Sequence, residues 1–589
     1  MEWSFYKNNI YLEPLVFSNK KSQLDVAKEV IKAIKENHKV IFIKGVCGSG
    51  KSAIALNIAK EFKKASIVVP VKTLQNQYKE DYTNNFQVKK KDKNLKITVI
   101  DGRNNHKCPY KNTSCDDREL PCTIDIKEDN MPILKEYLEQ NILAEEIRGI
   151  KDIRRKSIAT ACPYWSPLIP KEVKYNLEEA REIEYDAINN KKIIYYKRKP
   201  GCSYYDQFDS YINSDVIIFN SKKYELETVM DRKPETDIEI IDECDEFLDK
   251  LSAEKEINLN RLSLRVSNIQ NPKLKELTFE INDIISQIRY TEEILLIKDT
   301  KVLNLLNYFL KNIELFEDEE DYLYNIYETA RSFKDFFNET YVSFKKNKYN
   351  EIIATITTIN LEKKLSEYLN KNKVFIMMSG TIHSESVLKN IFGIKDFKII
   401  EAETKLKGNL IKKKTGLERT FNYEFLNQKG SRELYLQALS KSIEIAKKPV
   451  LIHVNSFTDL PDEYEFSKYK LNIKTRERLI EEQNKYRKGE LLQSFKNKEM
   501  DTFYSTKCSR GVDLPGDQCN SIIFTKYPYP NIHSLFWKVL KKSKPQNFGM
   551  FYFDKARREL IQRVYRGIRS ENDEVNLLSP DIRVFDINS

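Results

Sequence analysis

Residues Gly45 to Ser52, Gly-Val-Cys-Gly-Ser-Gly-Lys-Ser, carry the pattern G-x-x-x-x-G-K-[ST] of a phosphate-binding P-loop. The residue types state the chemistry. Glycines let backbone N–H groups approach phosphates, and the start of a following helix adds positive potential. Lys51 has the reach for the β- and γ-phosphates of a nucleotide such as ATP, and Ser52 offers a hydroxyl to Mg2+. Gly45, Val46, Cys47, Gly48, Ser49 and Gly50 form the cradle. Further on, the apolar run Ile238 to Ile241 leads into Asp242, Glu243, Cys244 and Asp245. After a P-loop, such a pair of acids divides two tasks: Asp242 orients Mg2+ and Glu243 activates the attacking water.

Two more groups stand out. Gln562, Arg566 and Arg569 have the spacing Q-x-x-x-R-x-x-R in a stretch with helical character. Arg566 and Arg569 are i, i+3, so both heads leave one face and can reach a phosphate held elsewhere; a basic solvated face has the same spacing. Cys108, Cys115, Cys122, Cys162 and Cys202 are five of the nine cysteines. Clustered cysteines outside an oxidising compartment signal a metal site. Their C-x6-C-x6-C spacing lacks the C-x2-C knuckles of zinc fingers. An iron–sulfur cluster tolerates it, because each thiolate takes a separate corner. Zinc and a set of buried free thiols are the alternatives.

The elements that must position these groups follow from periodicity. Ser18 to Lys35 and Ser52 to Lys63 read as helices on either side of a strand at Val40 to Ile43. Further strands are expected at Ala65 to Pro70, Ile97 to Ile100, Asp215 to Asn220 and Val374 to Met378. Thr73, Gln75 and Gln77 follow one of these strands, where ligands of parallel α/β sheets bind. Residues 131–200 read as charged and helix-prone, closing on the basic Lys191, Lys192, Lys197, Arg198 and Lys199. Residues 251–370 contain almost no glycine or proline and have helical spacing, which predicts an all-helical insertion. The last 200 residues read as a second α/β unit with strands at Val450 to Val454, Phe503 to Thr506 and Ile522 to Thr525.

The length of 589 residues allows roughly three or four domains. The net charge of +11 permits a nucleic-acid partner without demanding one. No apolar run approaches the ~20 residues of a membrane span, and the first residues carry no secretory pattern. A cytoplasmic protein without a membrane partner is expected.

Together these residues resemble superfamily 2 helicases of the XPD/DinG (Rad3-like) type. The P-loop matches motif I, Val69 to Gln77 motif Ia, and Asp242 to Asp245 motif II, with DECD where the family has DEAH. Ser379-Gly380-Thr381 matches motif III, and His453 to Phe457 motif IV. Ser509, Gly511 and Asp513 match motif V; Gln562, Arg566 and Arg569 match motif VI, with Tyr565 in place of the family's glycine.

The resemblance implies an α/β fold of two RecA-like P-loop motor domains with an iron–sulfur insert and an all-helical arch insert. Motor domain 1 is residues 1–105 with 203–250 and 371–385. The insert is 106–202, the arch 251–370, and motor domain 2 spans 386–589. It also implies that Gln23 reads adenine and that Asp513 and the motif VI residues complete the ATP site. Cys108, Cys115, Cys122 and Cys202 are the expected ligands of a [4Fe–4S] cluster, with Cys162 the alternative. The implied activity is ATP-dependent 5′ to 3′ translocation on single-stranded DNA and separation of forked duplexes. The rival is a DNA-stimulated ATPase that remodels nucleoprotein complexes without unwinding.

Overall fold

Continuous apolar runs of four or five residues are what a parallel sheet, covered on both faces, demands. In the computed structural model they assemble into two such sheets. The structure describes the chain apart from residues 47, 92, 141–149, 151–152, 174, 268–271, 289–292, 313–321, 406–407, 487–488, 507–513, 515, 569–570 and 588–589. The first sheet has seven strands, in the order Lys398–Glu401, Val40–Lys44, Phe375–Ser379, Ile238–Asp242, Ala65–Val69, Val216–Asn220 and Ile97–Ile100. Every pair in it is parallel. One face packs on Val26, Ala27, Val30, Ile54 and Ile58 from the helices Gln23–Lys35 and Lys51–Ala59. The first of these helices starts at Gln23, later than the periodicity predicts, because Ser22 caps it in a capping box with Asp25.

The strand Lys398–Glu401 pairs with Val40–Lys44. The first motor therefore runs past residue 385, and the boundary expected there is corrected. The second sheet holds five parallel strands, in the order Asn409–Lys412, Glu574–Leu578, Ser521–Phe524, Val450–His453 and Thr502–Ser505.

Both inserts contain more strand than their composition predicts. The arch is not all-helical. It carries an antiparallel sheet in the order Lys255–Asn258, Ile352–Thr358, Thr340–Lys346 and Ile294–Leu296, packed against its helices. Ile352–Thr358 (IIATITT) is β-branched along most of its length, which favours a strand even without flanking glycines. Asn350, at φ 64°, turns the chain where a glycine would be expected. In the cysteine-bearing insert, Arg181–Ala187 and Lys191–Lys197 form a hairpin through Asn189 and Asn190, at φ 58° and 54°. Its basic residues are largely matched by acids: Lys191 pairs with Glu172, Lys192 with Glu184, and Lys197 with Asp209.

The helices Leu535–Ser543 and Pro545–Val564 belong to the second half of the chain. Their aromatic side chains Phe536, Trp537, Phe551 and Tyr552 nevertheless share a core with Val387, Leu388 and Phe392 of the first motor and with Leu361 and Leu365, whose helix Leu361–Lys371 packs on the motor, so that the arch ends before the expected residue 370. The Phe551 ring meets the Phe392 ring edge-on at 5.6 Å. Among the described residues, no helix is long and apolar enough to cross a membrane.

Candidate active site

The P-loop turns on two glycines in the left-handed region, Gly48 at φ 82° and Gly50 at φ 70°. A Cβ on Gly50 would lie 2.2 Å from the Nε2 of Gln23, so the loop is shaped around that side chain. Gln23 donates to the carbonyls of Ser49 (3.2 Å) and Gly50 (3.3 Å) and accepts from the N–H of Leu15 (2.9 Å). Its amide thus braces the C-terminal end of the loop against Leu15, where the family resemblance assigned it to adenine. The loop is also tied to two strand ends: Gly45 N–H donates to Ser379 O (3.1 Å) and Val46 N–H to Glu403 O (2.8 Å). Lys51 is buried, with Nζ 3.0 Å from the Gly45 carbonyl.

Asp242 is buried at the end of its strand. It accepts from the Tyr78 hydroxyl at 3.0 Å and from the N–H of Glu243 at 3.0 Å. Burial, and then the neighbouring Glu243 charge, push its carboxyl up to about 6, against the pull of Lys51. Ser52 also acts on the hydroxyls of Tyr78 and Tyr82. Tyr78 therefore touches one of the two side chains expected at Mg2+ and lies near the other. Glu243 sits at φ 49°, ψ 53°, a left-handed conformation uncommon for a residue with a side chain and concentrated at functional sites.

The second motor reaches this centre through Gln562. Its Nε2 donates to Asp245 Oδ2 (2.5 Å) and Thr381 Oγ1 (2.6 Å). Asp245 also accepts from Ser379 Oγ (2.8 Å) and Thr381 Oγ1 (3.0 Å). The fourth residue of DECD is thus an acceptor shared by motifs III and VI. Arg566 is buried just beyond the helix, and its carbonyl accepts from Leu514 N–H at 3.1 Å. Cys47, Asp513 and Arg569, together with Ser509 and Gly511, lie outside the described residues. In motif Ia, Gln75 turns inward and donates to Ile100 O (2.7 Å), while Thr73 and Gln77 are exposed. Tyr78 and Asp245 carry much of this geometry, and sequence reasoning gave neither of them a role of its own. For Tyr78 the available signal was its place five residues after Thr73 on one helix.

The five clustered cysteines come together. All are buried. Cys115 and Cys202 act on one another, which lowers Cys202 and raises Cys115, with Cys108 and Cys122 also acting on Cys115. Cys162 is pushed up to about 12 by burial and by Cys122, Cys108 and Cys202. Arg103 donates to Cys122 Sγ (3.5 Å) and lies over the Tyr204 ring at 4.2 Å. Among the described residues, no group of three or more His, Cys, Asp or Glu side chains is arranged to hold a metal ion. As donors the cysteines fit a thiolate-bound group: all five are buried in one locality, with an arginine aimed at sulfur.

Known proteins agree with this layout. Residues 439–588 match the family model described as Helicase C-terminal domain, and residues 17–134 match the one described as Type III restriction enzyme, res subunit. A protein of Methanocaldococcus jannaschii, described as a probable ATP-dependent helicase, is 26% identical over 338 residues. That alignment covers 54% of this chain and 49% of the relative, so the chain spans about half the length of the curated relative it matches. Among solved structures, an XPD helicase superposes with a TM-score of 0.57 at 15% identity, covering 96% of both chains. A structure described as apo XPD gives 0.54 at 14% identity, covering 95% of this chain and 96% of its own. Over nearly its whole length the chain is thus similar in fold to the XPD helicases.

Proposed function

We propose that the chain hydrolyses ATP between its two motors and uses the cycle to move along single-stranded DNA and separate duplex, 5′ to 3′. The observation that carries this reading is the contact of Gln562 with Asp245 and Thr381, which brings motif VI of one motor onto motifs II and III of the other. Mg2+ held by Ser52 and Asp242 would neutralise charge developing on the phosphates. Lys51 would bind those phosphates, Glu243 would orient water, and Arg566 and Arg569 would stabilise the transition state once the motors close. Backbone-gripped single strands give little sequence preference. The test is ATPase with and without single-stranded DNA, together with displacement from forks carrying a 5′ or a 3′ tail. Stimulation without displacement on either fork would favour the remodelling ATPase.

Tyr78 gives this reading a sharper test. Its hydroxyl is hydrogen-bonded to a buried, reluctantly ionised Asp242. Loss of an outer-shell partner of a metal ligand lowers affinity or activity roughly 10- to 100-fold. Tyr78→Phe should raise the Mg2+ concentration for half-maximal hydrolysis by a factor in that range. An unchanged Mg2+ titration would remove Tyr78 from the site.

The buried thiols are proposed to hold a [4Fe–4S] cluster through Cys108, Cys115, Cys122 and Cys202, with Cys162 the alternative ligand and zinc the alternative metal. Thiolate ligation would supply a cross-link within the insert. Cys108→Ser or Cys202→Ser should lose iron, expose the insert to limited proteolysis and abolish strand separation, with DNA-stimulated ATPase partly retained. Iron content, proteolysis and both activities are to be measured on one anaerobic preparation. Full unwinding by iron-free Cys108→Ser protein would refute the role, and stoichiometric zinc in the wild type would replace the cluster.

A further inference from the structure

Arg558 lies one helical turn before Gln562, outside the motif that the spacing picked out. It is almost wholly buried, with its side chain 5% exposed. Its guanidinium grips Asp249 of the first motor with two prongs, Nη2 to Oδ1 at 2.9 Å and Nη1 to Oδ2 at 3.1 Å. Nε donates to Asp554 Oδ2 (2.8 Å) on its own helix, and Asp554 Oδ1 accepts from Ser384 N–H (3.0 Å) of the first motor. Nη1 also lies 3.5 Å from Asp245 Oδ2. Asp249 is completed by His383 Nε2 at 3.0 Å and Lys555 at 3.8 Å.

These contacts form a ladder between two helices. Arg558 meets Asp249, and Gln562 meets Asp245, four residues on along one helix and four back along the other. The helices Pro545–Val564 and Cys244–Lys250 are therefore antiparallel here. Just past the end of the first lies Arg566, while the second runs back towards Glu243 and Asp242. Four residues of helix advance the chain by about 6 Å. A slip by one residue would thus carry Arg566 away from the catalytic acids. The apolar contacts of Phe536, Trp537 and Phe551 are non-directional and hold the helix down without fixing its register. A buried ion pair adds little net stability over an apolar pair of similar volume, but a planar fork on a carboxylate fixes geometry.

We propose that Arg558 is a positioning residue for hydrolysis: its forked contact with Asp249 sets the register of the motif VI helix on the motif II helix and so aims Arg566. This rests on the ATPase reading above. A group misplaced by about 1 Å loses rate by up to roughly 10²-fold with binding little affected. Arg558→Lys keeps the charge but loses the fork. It should lower kcat by at least roughly 10-fold, with the Kd of a fluorescent ATP analogue within about 2-fold of wild type. The double variant Arg558→Met with Asp249→Leu removes both charges together. It should unfold near the wild-type temperature yet show the same drop in kcat. If the pair fails to fold, Arg558→Lys alone decides. Wild-type kcat in either variant overturns the proposal. An inactive wild type would refute the hydrolysis reading and this proposal with it, whereas an active wild type beside a fully active Arg558→Lys refutes only the role of Arg558.

Discussion

Lys51→Ala is expected to bring ATP hydrolysis to background while leaving the fold and most single-strand binding intact. The lysine's Nζ rests on the loop carbonyls of Gly45 and Val46, away from the apolar cores. Its removal also strips Asp242 of a compensating positive charge in a site where burial already disfavours the carboxylate. Both effects fall on phosphate and Mg2+ binding. The measurement is steady-state ATPase with single-stranded DNA, beside thermal unfolding and DNA binding. A variant that keeps DNA-stimulated turnover would end the P-loop assignment.

Arg566→Ala should lower kcat by roughly 10³-fold or more, with a smaller change in nucleotide affinity, on the scale of arginine fingers. The local surroundings agree with a buried, oriented cation. Burial, and then the charges of Arg563 and Arg566, hold His453 far below its ordinary value, so the imidazole there is neutral. An alanine variant that turns over ATP at a near-normal rate would take this arginine out of the catalytic machinery. Arg566→Lys should recover only part of the loss, because a point charge lacks the planar fork.

The motifs and the buried strands were legible in the chain for a common reason: each is local. Val40–Lys44 is apolar at four consecutive positions, and the P-loop declares itself within eight residues. Lys398–Glu401 was not legible. It is four residues long with charge at both ends, and only its pairing with Val40–Lys44 makes it a strand. The arch strands were hidden because Asn350 does the turning expected of a glycine. The P-loop partners of Gln23 and the Asp245 partner of Gln562 are side-chain geometry, which spacing does not encode. Arg558 was the least visible of all: its partner Asp249 lies 309 residues away, and neither stands in a motif position.

The helical hairpin at residues 535–564 gives this protein a particular problem during synthesis. A nascent chain leaves the ribosome in order, and domains ordinarily fold as they emerge. Here the surface formed by Leu361, Leu365, Val387, Leu388 and Phe392 has to wait for Phe536, Trp537 and Phe551 before it is covered. Until residue 564 has emerged, the first motor presents an open apolar face of the kind chaperones hold and aggregates grow from. The two motors are therefore poor candidates for exchange as separate cassettes. A first motor transplanted without its hairpin would arrive with an unfinished interior, and a second motor would arrive carrying an orphaned aromatic wedge.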